Sequence, residues 1–138
     1  MPFRVEIPHP RTTILVDDSD LTLEKISWAQ ARHLCMKKGE GWRLPMLTEL
    51  EAMYNQLHAQ NTGNFKRGAY WSESLCVYRV GATRLHQCND YVHTVKFDAS
   101  PGVISSARWE RGMNFARAVR LLTPAEVRDV QIDRVLDR

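Results

Sequence analysis

The chain has 138 residues, of which 43% are hydrophobic and 25% are charged. These values are close to the average of globular domains and argue against a disordered chain or a coiled coil. The formal net charge is only +3, without the dense Lys/Arg clustering of a dedicated nucleic-acid binder. No apolar run approaches the roughly 20 residues of a membrane-spanning helix.

The N-terminal sequence MPFRVEIPHP has no apolar segment of the kind that a secretory signal requires. We therefore expect a protein that is made in the cytoplasm. Export would require either a signal segment that has been removed from this sequence or incorporation of the protein into an exported assembly. Three cysteines, Cys35, Cys76 and Cys88, leave at least one thiol unpaired, which argues weakly against an extracellular disulfide scaffold. A bond between Cys76 and Cys88 across a loop stays open.

The first third of the chain predicts two short strands and a helix. Residues 4–7 and 12–16 are β-type runs separated by two prolines, which interrupt any continuous ladder. Ser27 then stands at the N-cap position of a helix whose apolar face is formed by Trp28, Ala31, Leu34 and Cys35. Lysines in its last turn and a glycine after it favour an end near residue 39.

A second helix is predicted after the compact corner at residues 41–45, Gly-Trp-Arg-Leu-Pro. Thr48 and Glu51 have the spacing of a capping box, so we expect the helix to begin at Thr48. The apolar stripe that follows, with Leu50 at its start, is typical of a core-facing helix.

The remainder is predicted to be β-rich, with runs at 70–74, 77–80, 91–97, 103–109 and 115–122. Residues 98–102 predict the hairpin turn between two of them. The element order therefore predicts an α+β domain over residues 1–122. Thr123, Pro124 and Glu126 favour a charged helical extension over 123–138.

Five segments, in their order along the chain, resemble the bacterial C-type-lectin-like domains of the DUF1566 type, which are related to the C-terminal domain of a Legionella collagen-like protein. They are ISWAQARHLC, GWRLPMLTELEAM, YWSES, YVHTVKFD and FARAVRLL. The resemblance covers about residues 21–122. It implies a C-type-lectin-like fold, with two helices on a twisted antiparallel sheet and a long loop region that carries any binding.

The resemblance also implies which residues determine the fold. They are Trp28, Cys35, Trp42, Arg43, Leu44, Pro45, Leu50, Trp71, Arg117 and Arg120. In the closing strand, alanine stands where the family usually has a cysteine, so Cys35 is expected to remain a buried thiol. Met46 replaces the family's small hydroxyl residue after the proline, which is why the helix cap is expected to move to Thr48.

Three kinds of chemistry are poorly supported by the sequence. Calcium binding needs six to eight oxygen ligands, and the segment 75–91 offers only Asn89 and Asp90 as a pair, better explained as a turn. His86, Cys88 and His93 lack the spacing of a zinc site. Formylglycine-generating enzymes share a distantly similar fold, but they are longer and use a late cysteine pair that is missing here. We expect no metal, no cofactor and no catalysis.

The sequence instead favours a binding module that recognises a cell-surface glycan or a protein receptor, alone or within a phage virion or another assembly, and as a homo-oligomer or with a partner. Its expected contact surface is the segment 75–91 with the turn at 108–114, because Tyr, Trp and Arg dominate interface hot spots. The candidate ligand-binding residues are Tyr78, Arg79, Arg84, Gln87, Asn89, Asp90, Arg111 and Asn114. The alternative is a structural subunit without a ligand of its own.

Overall fold

The computed structural model describes residues 2–8, 11–80, 84–98, 104–109, 111–122 and 125. Its elements, in chain order, are β1 (Phe3–Pro8), β2 (Arg11–Val16), α1 (Trp28–Lys38), α2 (Leu47–Gln56), a 3-10 turn (His58–Gln60), β3 (Gly68–Val80), β4 (Arg84–Phe97), β5 (Ile104–Trp109) and β6 (Val119–Leu121). This order confirms the predicted α+β class. The predicted extension at 123–138 lies outside the described residues except for Ala125.

The strands form two antiparallel sheets of three, in the orders β1-β2-β6 and β3-β4-β5. In the first sheet, the pairing of β1 with β2 is continuous over six residue pairs, from Phe3↔Val16 to Pro8↔Arg11. In the second, β4 is the central strand. No helix in the described part of the chain is long and apolar enough to cross a membrane.

Adjacent aromatic residues of β3 enter two separate cores. Tyr70 packs with α2 and the first sheet, whereas Trp71 packs with Ala31, Cys35 and Leu44. Successive side chains of a strand point to opposite faces, so this division follows from the pleat. The second sheet is therefore covered on both faces where β3 passes between the cores.

Helix α1 begins as the sequence predicts. The Ser27 hydroxyl accepts a hydrogen bond from the Gln30 backbone N–H, and the Gln30 side chain accepts one from the Ser27 N–H. This reciprocal pair satisfies two of the donors that a helix N-terminus leaves free. Gly39 follows the last turn with φ of 140°, a backbone conformation that favours glycine. Cys35 is a free, buried thiol, as expected.

The N-cap of helix α2 is Met46, two residues before the predicted cap, and Thr48 lies exposed in the first turn. The Glu49 carboxylate instead accepts a hydrogen bond from the Met46 N–H at 2.7 Å. The Leu47 N–H donates to the hydroxyl of Ser74, 27 residues further along the chain. The cap is thus supplied from strand β3, a tertiary contact that local spacing does not reveal.

The Trp-Arg-Leu-Pro corner ties α2 to the first sheet. Arg43 forms a two-bond ion pair with Glu49, at 2.6 and 2.9 Å, and its backbone pairs with Val119 of β6. The hydrogen bonding that Arg43 donates to the Glu49 carboxylate is the main cause of the raised pKa of Arg43. Leu44 is fully buried, but Trp42 is only partly buried and carries the cations of Lys38 and Arg120 on its ring.

The segment predicted as the 115–122 strand is regular only over β6. Before it, Arg117 is fully buried and donates to the Asp20 carboxylate and to the carbonyls of Asp17, Gly63 and Asn64. A buried guanidinium is tolerated only when it is paired and its donors are satisfied. These bonds join two loops and the closing segment into one buried polar hub.

Strands β3 and β4 are longer than predicted, and together they form a hairpin over most of 75–91, the segment expected to carry the binding surface. The β-type run predicted at 77–80 is the end of β3, which pairs with β4 from Val77↔Gln87 to Val80↔Arg84. Asn89 and Asp90 accordingly lie inside β4, in an irregular part of its pairing, and not in a turn before it. The predicted turn at 98–102 lies outside the described residues beyond Asp98.

Candidate functional site

Two aromatic residues form an exposed pair at one end of the second sheet. Tyr91 of β4 and Trp109 of β5 are directly opposite in the antiparallel register. Such residues share a face of the sheet and bring their side chains close together. Tyr91 is 46% exposed and Trp109 is 51% exposed. Single exposed aromatics are common, but a matched pair is a platform on which a flat or apolar ligand surface can stack.

The position of this pair along the strand explains its exposure. Val95 and Phe97 follow Tyr91 on the same face of β4 and are fully buried in the first core. On the same face toward Tyr91, His93 is half-buried and Tyr91 is exposed, so the packing against this face of the strand ends before Tyr91.

A tight turn places a guanidinium over the platform. The Gly112 N–H donates to the Trp109 carbonyl at 2.8 Å and so closes the turn. Within it, the Arg111 guanidinium carbon lies 5.9 Å from the centre of the Trp109 ring, in the range of a cation–π contact. We call Tyr91, Trp109 and Arg111 the Trp109 patch. Exposed Met113 follows on the same loop.

The patch is attached to a rigid support. Asn114, just after the turn, exchanges two backbone hydrogen bonds with Ile26 at 2.9 and 3.0 Å. Asn114 is itself only 8% exposed, so it belongs to the support, and its predicted ligand contact stays a prediction. On the other side, the buried Ser72 hydroxyl donates to the His93 carbonyl and accepts from the Ser74 N–H, which replaces ladder bonds at an irregularity of β3.

The other predicted binding residues are placed by the backbone alone. Strand β3 contains Tyr78 and Arg79, and β4 contains Arg84, Gln87, Asn89 and Asp90. Their side chains lie outside the described part of the structure. Of the predicted set, Arg111 is the described residue that contacts an exposed aromatic ring.

The patch includes two residues that were missing from the predicted list, Tyr91 and Trp109. The sequence contained a signal for them, since Tyr91 begins and Trp109 ends a β-type run. It could not separate them from core aromatics, because Trp71 also lies in a β-type run and is fully buried. The exposed and buried aromatic residues differ in whether other elements pack against them, and this depends on the tertiary structure.

Two open cavities lie away from the patch. One, of about 740 Å³, is bordered by the β1–β2 hairpin and Gln56, whose amide exchanges two hydrogen bonds with the Glu6 backbone. The other, of about 460 Å³, is bordered by Asp20 and Lys66. The Asp20 carboxylate is already bound by Arg117 and Tyr70. The Gln56 amide and the Asp20 carboxylate thus serve the fold.

The described side chains offer little for catalysis or metal binding. No group of three or more His, Cys, Asp or Glu residues among them could hold a metal ion. The Cys35 thiol is 1% exposed, and burial together with the nearby Glu73 carboxylate raises its pKa to about 12. A thiol with so little thiolate at neutral pH is a poor nucleophile.

No protein-family model matches the sequence, and no curated protein matches it. Among solved structures, rhodocetin superposes with a TM-score of 0.50 at 14% identity, over 80% of this chain and 91% of its own. EMS16, an antagonist of the collagen receptor integrin α2β1 (GPIa/IIa), gives a TM-score of 0.49 at 16% identity over the same shares. The fold is C-type-lectin-like, as the resemblance in the sequence implied.

Proposed function

We propose that this chain is a non-catalytic binding module and that the Trp109 patch is part of its contact surface. The observation that carries the proposal is the half-exposed cross-strand pair of Tyr91 and Trp109 with Arg111 over one ring. Tyr, Trp and Arg are the residue types that contribute most to binding energy at interfaces.

The ligand that we propose is a cell-surface glycan or a protein receptor. An aromatic ring stacks on the apolar face of a sugar or on an apolar side chain, while a guanidinium donates hydrogen bonds to hydroxyl, carbonyl or carboxylate oxygens. The β3–β4 hairpin extends the surface, with Tyr78 and Arg84 as further contact residues. Replacement of either by alanine is expected to weaken ligand capture and to leave thermal stability unchanged.

We further propose a bacterial or phage setting for this module. The Trp-Arg-Leu-Pro corner and the Tyr-Trp-Ser run support a relationship to the DUF1566-type domains. A free buried Cys35 in place of the family's disulfide suits folding in a reducing cytoplasm, followed by incorporation into a virion or another assembly.

The alternative function, a structural subunit without its own ligand, makes a different prediction in solution. A stable trimer, or folding that depends on a partner chain, would favour it. Exposed aromatics would then be buried between subunits, and the Trp109 indole fluorescence would be that of a protected ring. A monomer with solvent-exposed Trp109 favours the binding module.

A glycan array, read with and without a chelator, tests the proposal directly. We expect binding to one glycan class that persists in the chelator, because the patch offers aromatic and guanidinium groups and no described set of metal ligands. Loss of binding in the chelator would contradict the patch as the site. If the protein binds no glycan on the array, the proposal of a glycan ligand is wrong, and protein receptors are tested next.

A further inference from the structure

Both outer strands of the first sheet are paired on their free side by another part of the chain. On β1, the side-chain amide of Gln56 exchanges two hydrogen bonds with the Glu6 backbone. On β6, the Arg43 backbone exchanges two hydrogen bonds with Val119, at 2.9 and 2.8 Å. An outer strand otherwise presents free N–H and C=O groups that can pair with another chain, so these contacts protect the sheet.

The outer edge of β3, in the second sheet, is protected in two ways. Over its first half, Phe115 accepts a hydrogen bond from the Trp71 N–H and donates one to the Ala69 carbonyl, and the Glu73 N–H donates to the Pro45 carbonyl. Further along, two register shifts interrupt the pairing of β3 with β4. Irregular strands are poor templates for pairing with another chain.

The outer edge of β5 has neither protection. Strand β5 pairs with β4 over six consecutive residue pairs without a shift, from Tyr91↔Trp109 to Lys96↔Ile104. Among the described residues, its only backbone hydrogen bond outside this ladder is the one that the Trp109 carbonyl accepts from the Gly112 N–H. Alternate residues of an outer strand direct both backbone groups away from the sheet. Strand β5 therefore offers a regular row of donors and acceptors to another strand.

The sequence of β5, Ile-Ser-Ser-Ala-Arg-Trp, suits pairing with a second copy of itself. It contains no proline and no lysine, the residues with which natural outer strands resist pairing with their own copies. Its middle positions, Ser106 and Ala107, are small. Its one charged residue, Arg108, lies near the end of the strand, so in an antiparallel pair centred on the middle positions the two copies of Arg108 are not directly opposite each other.

We propose that β5 pairs with β5 of a second copy, antiparallel about a two-fold axis, and joins the three strands of each copy into one continuous sheet. A two-fold contact of this kind uses the same strand on both copies and satisfies both edges at once. It also keeps equivalent faces of the two sheets on the same side. The two Trp109 patches then lie on one face of the dimer, with their rings in solvent.

The dimer is independent of the proposed binding function, because it rests on backbone groups at the edge of β5. It also differs from the structural-subunit alternative, in which Trp109 is buried between subunits. If the patch binds a ligand, the dimer presents two equivalent sites on one face and can bind a surface that carries many copies of the ligand more tightly than a monomer can.

The mass of the full chain in solution is the first test. Sedimentation equilibrium over a wide range of protein concentrations should give twice the 16.0 kDa of the single chain at the upper end of the range. A monomer at every concentration would overturn the proposal, whether the edge of β5 is free, covered by another segment of the chain or used by a foreign peptide. A monomer that still binds ligand through Trp109 would leave the binding proposal standing.

Disulfide trapping then locates the contact. The residue on the two-fold axis lies directly opposite its own copy, at a Cα distance that a disulfide can join. We therefore expect Ser106→Cys or Ala107→Cys, treated with oxidised glutathione, to give a covalent dimer on non-reducing electrophoresis that dithiothreitol removes. Both replacements are small, and a thermal unfolding curve for each variant confirms that it folds.

Two controls make the trapping specific. Met36→Cys places an exposed thiol on α1, away from β5, and should stay monomeric on the gel. The parent chain shows any link made by the native cysteines, of which Cys76 and Cys88 have side chains outside the described part of the structure. A dimer by mass in which neither β5 variant forms a covalent link, or in which Met36→Cys links as well as they do, would place the contact elsewhere and overturn the proposal.

Discussion

The same residue types have opposite roles in two regions of the molecule. In the interior, Trp71 and Arg117 are fully buried and hold the two cores and the loops together. At the end of the second sheet, Trp109 is half-exposed and Arg111 lies over its ring in solvent. Tryptophan and arginine thus belong to the framework in one region and to the surface in the other.

The difference lies in whether the polar atoms are satisfied within the chain. The Trp71 indole N–H donates to the Ile26 carbonyl at 2.8 Å, and Arg117 donates to one carboxylate and three carbonyls. Within the described part of the chain, the indole N–H of Trp109 and the guanidinium of Arg111 have no hydrogen-bond partner of this kind. Buried groups with full hydrogen bonding stabilise a fold, whereas exposed groups with free donors are available to a ligand.

The largest effect that separates the two regions is expected from the arginines. Arg117→Met leaves the Asp20 carboxylate buried without its ion partner, which costs about 3–5 kcal/mol of unfolding free energy. Arg111→Met, the matched control, should change that free energy by no more than about 0.5 kcal/mol. Urea denaturation of both variants measures the contrast. Equal effects would show that Arg117 is not the hub described above.

The ion pair beneath the corner should have a smaller effect. Glu49→Gln weakens two charge-assisted hydrogen bonds from Arg43 and one from the Met46 N–H, at a cost of about 1.5–3 kcal/mol. Glu51→Gln, two residues further along α2, serves as the control and should be nearly neutral. Thermal unfolding of the two variants tests this difference, and similar melting temperatures for both would contradict the assigned role of Glu49.

The tertiary cap of α2 should contribute less again. Ser74→Ala removes the acceptor of the Leu47 N–H and should destabilise the protein by about 1 kcal/mol, the usual value of a helix cap. Thr48→Ala should be within about 0.5 kcal/mol of the parent protein, because Thr48 is exposed. Chemical denaturation measures the unfolding free energy of both variants. A larger loss for Thr48→Ala than for Ser74→Ala would show that Thr48 is the cap, as the sequence predicted.

The smallest effect concerns alkaline pH. The Cys35 thiol has an ordinary pKa of 9.0 when unfolded and about 12 when folded, so between these values the folded state holds the proton more tightly. Its contribution to stability is complete below pH 9 and is lost progressively as the pH rises toward 12. Cys35→Ala should therefore lose less stability than the parent protein between pH 8 and pH 10. Identical losses in the two proteins would contradict the raised pKa.

The sequence predicted the framework far better than the surface. Ser27 as a cap, the apolar stripe of α2 and the order of elements depend on local spacing, and all are present in the structure. The start of α2 was missed because its acceptor, Ser74, is distant in sequence. The full length of the β3–β4 hairpin was not predicted, because pairing between two runs depends on a register that no single run contains.

The candidate site could be predicted only in residue type. Aromatic and arginine residues near 78–111 were recognised as contact candidates, but their exposure depends on where the cores end. Tyr70 and Tyr91 illustrate the limit, since both occur in β-type runs, and one is fully buried while the other is 46% exposed.

Comparison of Trp109→Ala with Met36→Ala tests the central claim most directly, by glycan or receptor binding and unfolding free energy measured on the same samples. Met36 is an exposed apolar residue on α1, away from the patch. The account predicts that Trp109→Ala weakens binding at least about tenfold, the effect of a hot-spot residue, with a change in unfolding free energy below about 1 kcal/mol. Met36→Ala should change neither. Unchanged binding by Trp109→Ala, or binding lost together with the fold, would contradict the account.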